Sequence, residues 1–310
     1  MSVGPLFAIG GAEAKLRRRT VLRAFVEAAG GADARIVVIP TASSLGDELV
    51  AVYQAVFAAL GVYDVVAVRP RTRPESAHPA SVAAVDRATG VFMTGGNQLK
   101  LTAVVTGTPL GAAIHAAHAR GAVVGGTSAG ASILSDHMIA FGPSGATPKQ
   151  RMSQLAVGLG LIHGVVIDQH FHQRNRYGRL MSLVAQSPSM LGIGVDEDTA
   201  AVIEEAHLLR VLGRGAVTIV DGDQLVSDGH AARRTAPLLL SGAVLHVLPA
   251  DSVFDLATRT LVTQDRPLPI EEALEVQAAE ADLRKLARDI ASGELSPSSH
   301  ARRIRRGRSA

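Results

Sequence analysis

Cysteine and tryptophan are absent from this 310-residue chain, and aromatic residues as a class make up only 3% of it. Without cysteine there is no disulfide framework, no thiol nucleophile and no thiolate-bound metal. Long hydrophobic runs are missing as well. The stretch from Leu110 to Val124 is interrupted by His115, His118 and Arg120, and nothing approaches the ~20 apolar residues of a membrane helix. The start, Met1-Ser2-Val3-Gly4-Pro5, has no cationic segment of the secretory kind. A soluble, cytoplasmic protein without membrane contact is expected.

A strong excess of one charge is lacking too, once the charges are located. Lys and Arg number 31 against 28 Asp and Glu, a formal +3, with a pI of 9.6. Five of the arginines (Arg302, Arg303, Arg305, Arg306 and Arg308) lie in the last ten residues, which hold no acid. The first 300 residues therefore carry 26 basic against 28 acidic groups, a net −2. Such a body lacks the excess of positive charge that phosphate backbones attract, and nucleic acid is not an expected partner. What the chain does have is 47% hydrophobic residues, enough for a substantial core.

Short apolar runs alternate with helical patterns through the first half. Leu6–Ile9, Arg35–Ile39, Asp64–Val68, Gly90–Met93 and Ala122–Gly125 read as strands, with helices expected over Ala14–Ala29 and Gly46–Leu60. Continuous apolar strands are those covered on both faces, so the pattern predicts an α/β fold with a doubly wound, mostly parallel sheet. After about residue 190 the rhythm becomes short strands at close spacing: Leu191–Val195, Ala200–Glu204, Leu208–Leu212, Ala216–Val220 and Ala243–Leu248. These are expected to be antiparallel additions that extend or flank the sheet. Residues 1–265 are expected to form a single α/β domain. Residues 266–292 read as a helical extension with Ile270, Leu274, Leu283 and Ile290 on one side, and 293–310 as a basic, disordered tail.

The sharpest motif is Gly126-Thr127-Ser128-Ala129-Gly130, directly after a predicted strand. G-x-S-x-G at a strand-to-helix turn exposes the serine hydroxyl and aims the next backbone N–H, that of Ala129, at a developing oxyanion. The same pattern also serves as a glycine-rich turn with an idle N-cap serine. A serine nucleophile needs a base, and the base an orienting acid. His170 and His172 both follow the predicted strand Val165–Ile167, in the cluster Asp168-Gln169-His170-Phe171-His172-Gln173-Arg174-Asn175-Arg176-Tyr177-Gly178-Arg179. The acid candidates are Asp196-Glu197-Asp198, after the strand Leu191–Val195. If those two strands are parallel neighbours, both clusters share one rim.

Five blocks in this order resemble the cyanophycinases: Ile9–Glu13, Phe92–Gln98, Gly126–Ala131, Asp168–Leu180 and Gly192–Ala200. The wider family includes the aspartyl dipeptidases (peptidase E), on a flavodoxin- or glutamine-amidotransferase-like fold. The amidotransferase relatives place cysteine at the elbow, which this chain does not have. The resemblance implies a serine exopeptidase that cleaves cyanophycin, a polyaspartate with arginine on each β-carboxyl, to β-Asp-Arg dipeptides through an acyl-enzyme. An aspartyl or isoaspartyl dipeptidase, or an idle ligand-binding relative, are the alternatives.

Carried over by motif, the resemblance implies Ser128 as nucleophile, His170 as base, Glu197 as orienting acid and the Gly96 N–H as a second oxyanion donor beside that of Ala129. Gln98, Asp168, Gln169, Arg174, Arg176 and Arg179 match substrate-pocket positions, with the arginines suited to carboxylates and Asp168 to the substrate's guanidinium. No metal and no organic cofactor is expected, and the expected assembly is a homodimer. The segment Phe141–Met152 is read as a lid, and the chain beyond about residue 265 falls outside the resemblance.

Overall fold

Five short strands form the parallel part of the main sheet, in a computed structural model that describes residues 3–16 and 18–262. They are β1 (Leu6–Ile9), β2 (Arg35–Ile39), β3 (Asp64–Ala67), β4 (Gly90–Met93) and β5 (Val123–Thr127). All pair in parallel, in the order β1-β5-β4-β2-β3. Parallel pairing requires crossovers. The helices α1 (Thr20–Ala28), α2 (Asp47–Ala58), α3 (Pro79–Asp86), α4 (Gln98–Val105) and α5 (Pro109–Ala119) lie in those crossovers, and a single turn, α6 (Ala129–Ser132), follows β5.

Alternate strand residues pack into two separate apolar layers, because successive side chains leave a strand on opposite faces. Phe7, Ile9, Phe92 and Val123 enter one layer, while Ala8, Val91, Met93 and Val124 enter the other. The scarce aromatics are concentrated in the first. Phe7, Phe25, Phe57, Phe92 and Tyr53 form a contiguous set, with Phe25 and Phe92 edge-to-face at 5.3 Å between centroids and Tyr53 4.9 Å from Phe92. This set locks α1 and α2 onto β1 and β4. Tilted and edge-on ring pairs contribute about 0.5–1.5 kcal/mol each beyond area burial.

The second half adds the hairpin β6 (His137–Phe141) and β7 (Gln154–Val157), then β8 (Val165–Gln169), α7 (Tyr177–Gln186) and β9 (Leu191–Val195). Then come β10 (Thr199–Glu204), β11 (Leu208–Gly213), β12 (Ala216–Asp221), the short pair β13 (Val226–Ser227) and β14 (Leu240–Ser241), β15 (Val244–Pro249), β16 (Val253–Asp255) and β17 (Thr260–Val262). β10, β11, β16 and β17 continue the first sheet antiparallel beyond β1, making nine strands. β8 and β9 pair in parallel and, with antiparallel β12 and β15, form a second, four-stranded sheet. Of the strands expected as antiparallel additions, β10 and β11 extend the first sheet and β12 and β15 stand in the second, whereas Leu191–Val195 (β9) differs from that expectation by pairing in parallel with β8.

Local departures have local causes. The helix expected over Ala14–Ala29 begins only at Thr20, since Arg18 and Arg19 take left-handed φ of 48° and 46°, and Leu16 is 88% exposed. β5 runs two residues further than expected, to Thr127, so that Ser128 is the first residue off the strand. The segment expected as a lid is tied down. The Gly145 N–H donates to the Asn175 carbonyl at 2.7 Å, the Gly178 N–H to Gly145 at 2.9 Å, and the Gln150 N–H to Ala236 at 2.9 Å. The expected helical extension and basic tail lie outside the described residues. No helix among the described residues is long and apolar enough to cross a membrane.

Candidate active site

Parallel register aligns the ends of β1, β5 and β4: Ile9 opposes Thr127, and Met93 opposes Gly126. The loops that leave them, Gly10-Gly11, Ser128 and Thr94–Asn97, therefore emerge side by side at the carboxyl edge, where open α/β sheets bind ligands. The second sheet makes its own rim, with Gln169 of β8 opposite Val195 of β9. His170 and Asp196-Glu197 are the next residues on each. The two rims are joined by backbone hydrogen bonds. The His170 N–H donates to the Gly10 carbonyl at 2.7 Å, Asp198 N–H to Gly11 at 2.8 Å and Gly10 N–H to Thr199 at 2.9 Å.

At this junction Ser128, His170 and Glu197 meet. The Ser128 hydroxyl lies 3.0 Å from His170 Nε2, and His170 Nδ1 lies 2.6 Å from Glu197 Oε1. A carboxylate at Nδ1 keeps the proton on that nitrogen and leaves Nε2 as an acceptor facing the hydroxyl. Ser128 has φ 54° and ψ −107°, a backbone state that costs on the order of 1–3 kcal/mol for a residue with a side chain. The strain is held by crowding: a Cβ on Gly126 or Gly130 would stand 2.5 or 2.2 Å from the Met93 carbonyl oxygen. Only glycine at both positions lets the turn close this tightly.

Burial, the largest influence, lowers the pKa of His170 below 6.5, and the cations of Arg174 and Arg176 act in the same direction. The hydrogen bond and charge of Glu197 oppose that shift in part. The ring is accordingly neutral at neutral pH and able to accept a proton. The three carboxylates in a row serve different purposes. Asp196 accepts the His172 N–H at 3.0 Å and the Ala216 N–H at 3.1 Å, and Asp198 accepts the Ala14 N–H at 2.7 Å. Only Glu197 reaches an imidazole among the three. His172 is exposed, with its ring 3.4 Å from the Tyr177 hydroxyl, and makes no contact with Ser128.

A cavity of about 590 Å³ opens onto Ser128 and His170, lined also by Glu13, Lys15, Gly96 and Arg174. Ala129 begins α6 immediately after Ser128. Among the described residues neither its N–H nor that of Gly96 donates to a backbone acceptor. Of the six expected pocket residues, the structure brings only Arg174 to this cavity. Asp168 is 1% exposed and faces inward, where Arg179 Nε donates to its Oδ2 at 2.6 Å and Arg176 Nη1 to its Oδ1 at 3.2 Å. Arg179 also donates to the Gly142 carbonyl at 2.9 Å.

Asp168, expected to take a substrate cation, is paired in this structure with Arg176 and Arg179, which were expected to hold substrate carboxylates; one carboxylate between two guanidiniums leaves the buried cluster with a net +1. Burial lowers the pKa of Arg176 to about 10, which still leaves it charged at neutral pH. Gln169 donates to the Ser132 hydroxyl at 3.2 Å and accepts from Arg176, and Gln98 donates to the Ile139 carbonyl at 3.0 Å. Both glutamines are part of the frame.

Sequence reasoning passed over Glu13, Lys15 and Tyr53, all of which line the cavity. Glu13 had a readable signal, an acid just beyond a buried strand and two glycines. Tyr53 had none, because within α2 it follows the helical apolar pattern of a core residue. No group of three or more metal-binding side chains occurs among the described residues.

Comparison with known proteins shows the family. The model for peptidase family S51 matches residues 6–211. A cyanophycinase of Synechococcus elongatus is 42% identical over 257 residues, covering 82% of this chain and 80% of its own. The cyanophycinase of Geminocystis herdmanii is 41% identical, over 77% of this chain and 89% of its own. That of a Nostoc species is 42% identical, over 82% and 86%. The crystal structure of a peptidase from an acI-B1 actinobacterium superposes with a TM-score of 0.59 at 24% identity, covering 78% of this chain and 97% of that one, a likeness of fold.

Proposed function

Because the chain belongs to peptidase family S51 and is a serine-type peptidase, we propose that it is an exopeptidase that hydrolyses cyanophycin to β-Asp-Arg dipeptides. The observation that carries the chemistry is the continuous path from the Ser128 hydroxyl through His170 to Glu197, at 3.0 and 2.6 Å. The cyanophycinases at about 42% identity support the substrate.

In this reading Ser128 Oγ attacks the scissile backbone carbonyl while His170 Nε2 takes its proton, and Glu197 stabilises the imidazolium that forms. The N–H groups of Ala129 and Gly96 receive the oxyanion. Loss of one such donor typically costs about 10²–10³ in kcat. The imidazolium then returns the proton to the leaving amine. Water, deprotonated by the same ring, hydrolyses the acyl-serine and restores the free hydroxyl. Arg174, facing the cavity from the loop that follows His170, meets a carboxylate of the polymer.

Purified protein offered cyanophycin and simple Asp-X dipeptides side by side tests the substrate. Release of β-Asp-Arg from the polymer is expected, and hydrolysis of the simple dipeptides alone would assign the protein to the dipeptidase branch. The same proposal includes a cytoplasmic homodimer. Exposed Leu245 and Val247, on one face of the edge strand β15, are apolar surface that a dimer would bury. Light scattering on the eluting protein and fractionation of the native cells test the two statements separately.

A further inference from the structure

Among the described residues lining the Ser128 cavity, Glu13 is the one carboxylate, and the mechanism above makes no use of it. It is 3% exposed. Its Oε2 accepts the Thr127 hydroxyl at 2.5 Å, while its Oε1 accepts the Tyr53 hydroxyl at 2.5 Å and the Lys15 ammonium at 2.8 Å. Burial, followed by the charge and hydrogen bond of Glu13, raises the Tyr53 pKa well above 10, so the phenol stays protonated as a donor. The same ammonium stands 5.3 Å from the centroid of the Tyr53 ring. A buried carboxylate beside an aromatic face is a cage for a cation, and a cation within about 6 Å of the centroid is attracted by the ring.

We propose that Glu13 and Tyr53 form the subsite for the cationic side chain of the substrate, and that Lys15 fills it as an internal placeholder which the incoming guanidinium displaces. This rests on the reading that the substrate carries arginine. Two observations and the shape of the guanidinium favour it. Asp168, the acid that the resemblance implied would meet that charge, has both oxygens committed to Arg176 and Arg179. Lys15 is tethered only two residues from Glu13, its side chain is 29% exposed, and its ammonium donates to no acceptor outside Glu13 among the described residues. A planar guanidinium can also lie flat on the ring and present two parallel N–H groups to the carboxylate, which an ammonium cannot.

The test is calorimetric binding of β-aspartyl-arginine and its neutral isostere β-aspartyl-citrulline to the Ser128→Ala protein. The arginine dipeptide is expected to bind about tenfold tighter or more, the scale of a charge-assisted hydrogen bond. Adding Glu13→Gln should erase that ratio, and adding Lys15→Met should raise affinity for the arginine dipeptide alone. An unchanged ratio in Glu13→Gln overturns the proposal, as does weaker binding of the arginine dipeptide in Lys15→Met. If Glu13→Gln does not fold, the Lys15→Met comparison decides by itself.

Glu13 also holds Thr127, next to the elbow, so Ser128 labelling by a fluorophosphonate is followed in Glu13→Gln with the serine intact. Slower labelling together with an unchanged dipeptide ratio assigns Glu13 to the elbow alone. Discrimination between the dipeptides without polymer hydrolysis by the wild type would sink the reaction and leave the subsite standing. Hydrolysis without discrimination would sink only the subsite.

Discussion

The backbone N–H of His170 donates to the carbonyl of Gly10 at 2.7 Å, and a Cβ placed on the neighbouring Gly11 would stand 2.3 Å from the His170 ring carbon Cε1. The loop leaving β1 thus supports the imidazole from its own backbone while packing against the ring. Since β1 lies beside β5, which carries Ser128 at its end, this loop ties the second sheet's histidine to the first sheet's serine.

Gly11→Ala is expected to displace His170 and reduce kcat by at least about tenfold, because a misplaced base of even 1 Å costs heavily in rate. Gly30→Ala is the matched control. Gly30 has φ 110° against 106° for Gly11, but no atom lies within 4 Å of its would-be Cβ. It should lose about 1 kcal/mol of stability through backbone strain alone. Equal effects of the two variants on kcat would show that ring contact is irrelevant.

Ser128→Ala is expected to cut cyanophycin hydrolysis by about 10⁴-fold or more, with the far-ultraviolet spectrum and melting temperature near those of the wild type. Turnover within tenfold of the wild type would remove Ser128 from the chemistry.

The acid limb of kcat/KM should have its midpoint below pH 6.5. The neutral ring is the active form and burial depresses its pKa, so activity persists as pH falls through 6.5 and is lost further down. Arg174 lowers that pKa and Glu197 raises it. Arg174→Ala should move the limb up and Glu197→Gln should move it down, the latter with a kcat loss of about 10²–10⁴. Shifts in the same direction would contradict the arrangement.

Asp168→Ala leaves Arg176 and Arg179 buried without their carboxylate. A stability loss of about 3–5 kcal/mol is expected, read as a lower urea midpoint. Arg174→Ala, at the cavity wall, should leave that midpoint in place and raise KM about tenfold. A large activity loss in Asp168→Ala without destabilisation would return Asp168 to the substrate pocket.

Some of this was legible from residue order. Continuous apolar runs with turn signals located β1, β2 and β4 to within a residue, because a strand covered on both faces has no other composition open to it. G-x-S-x-G located the turn at Ser128, because only glycine tolerates the approach of the Met93 carbonyl at Gly126 and Gly130. The length of α1 was not legible, since the left-handed residues Arg18 and Arg19 interrupt a pattern that otherwise reads as helical.

The absence of cysteine by itself settled that any elbow nucleophile here is not a thiol, and the motif order placed Ser128, His170 and the acid triplet on strand ends. Which histidine meets the serine, and which carboxylate meets that histidine, was decided by tertiary structure. The parallel register of β8 and β9 and the Gly10–His170 hydrogen bond turn His170 inward and leave His172 exposed. The fate of the charged cluster was decided the same way. A sequence shows that Asp168, Arg176 and Arg179 are charged, but charges at similar chain positions bind substrate or bind each other according to how far they are from water. That distance exists only once the two sheets have packed.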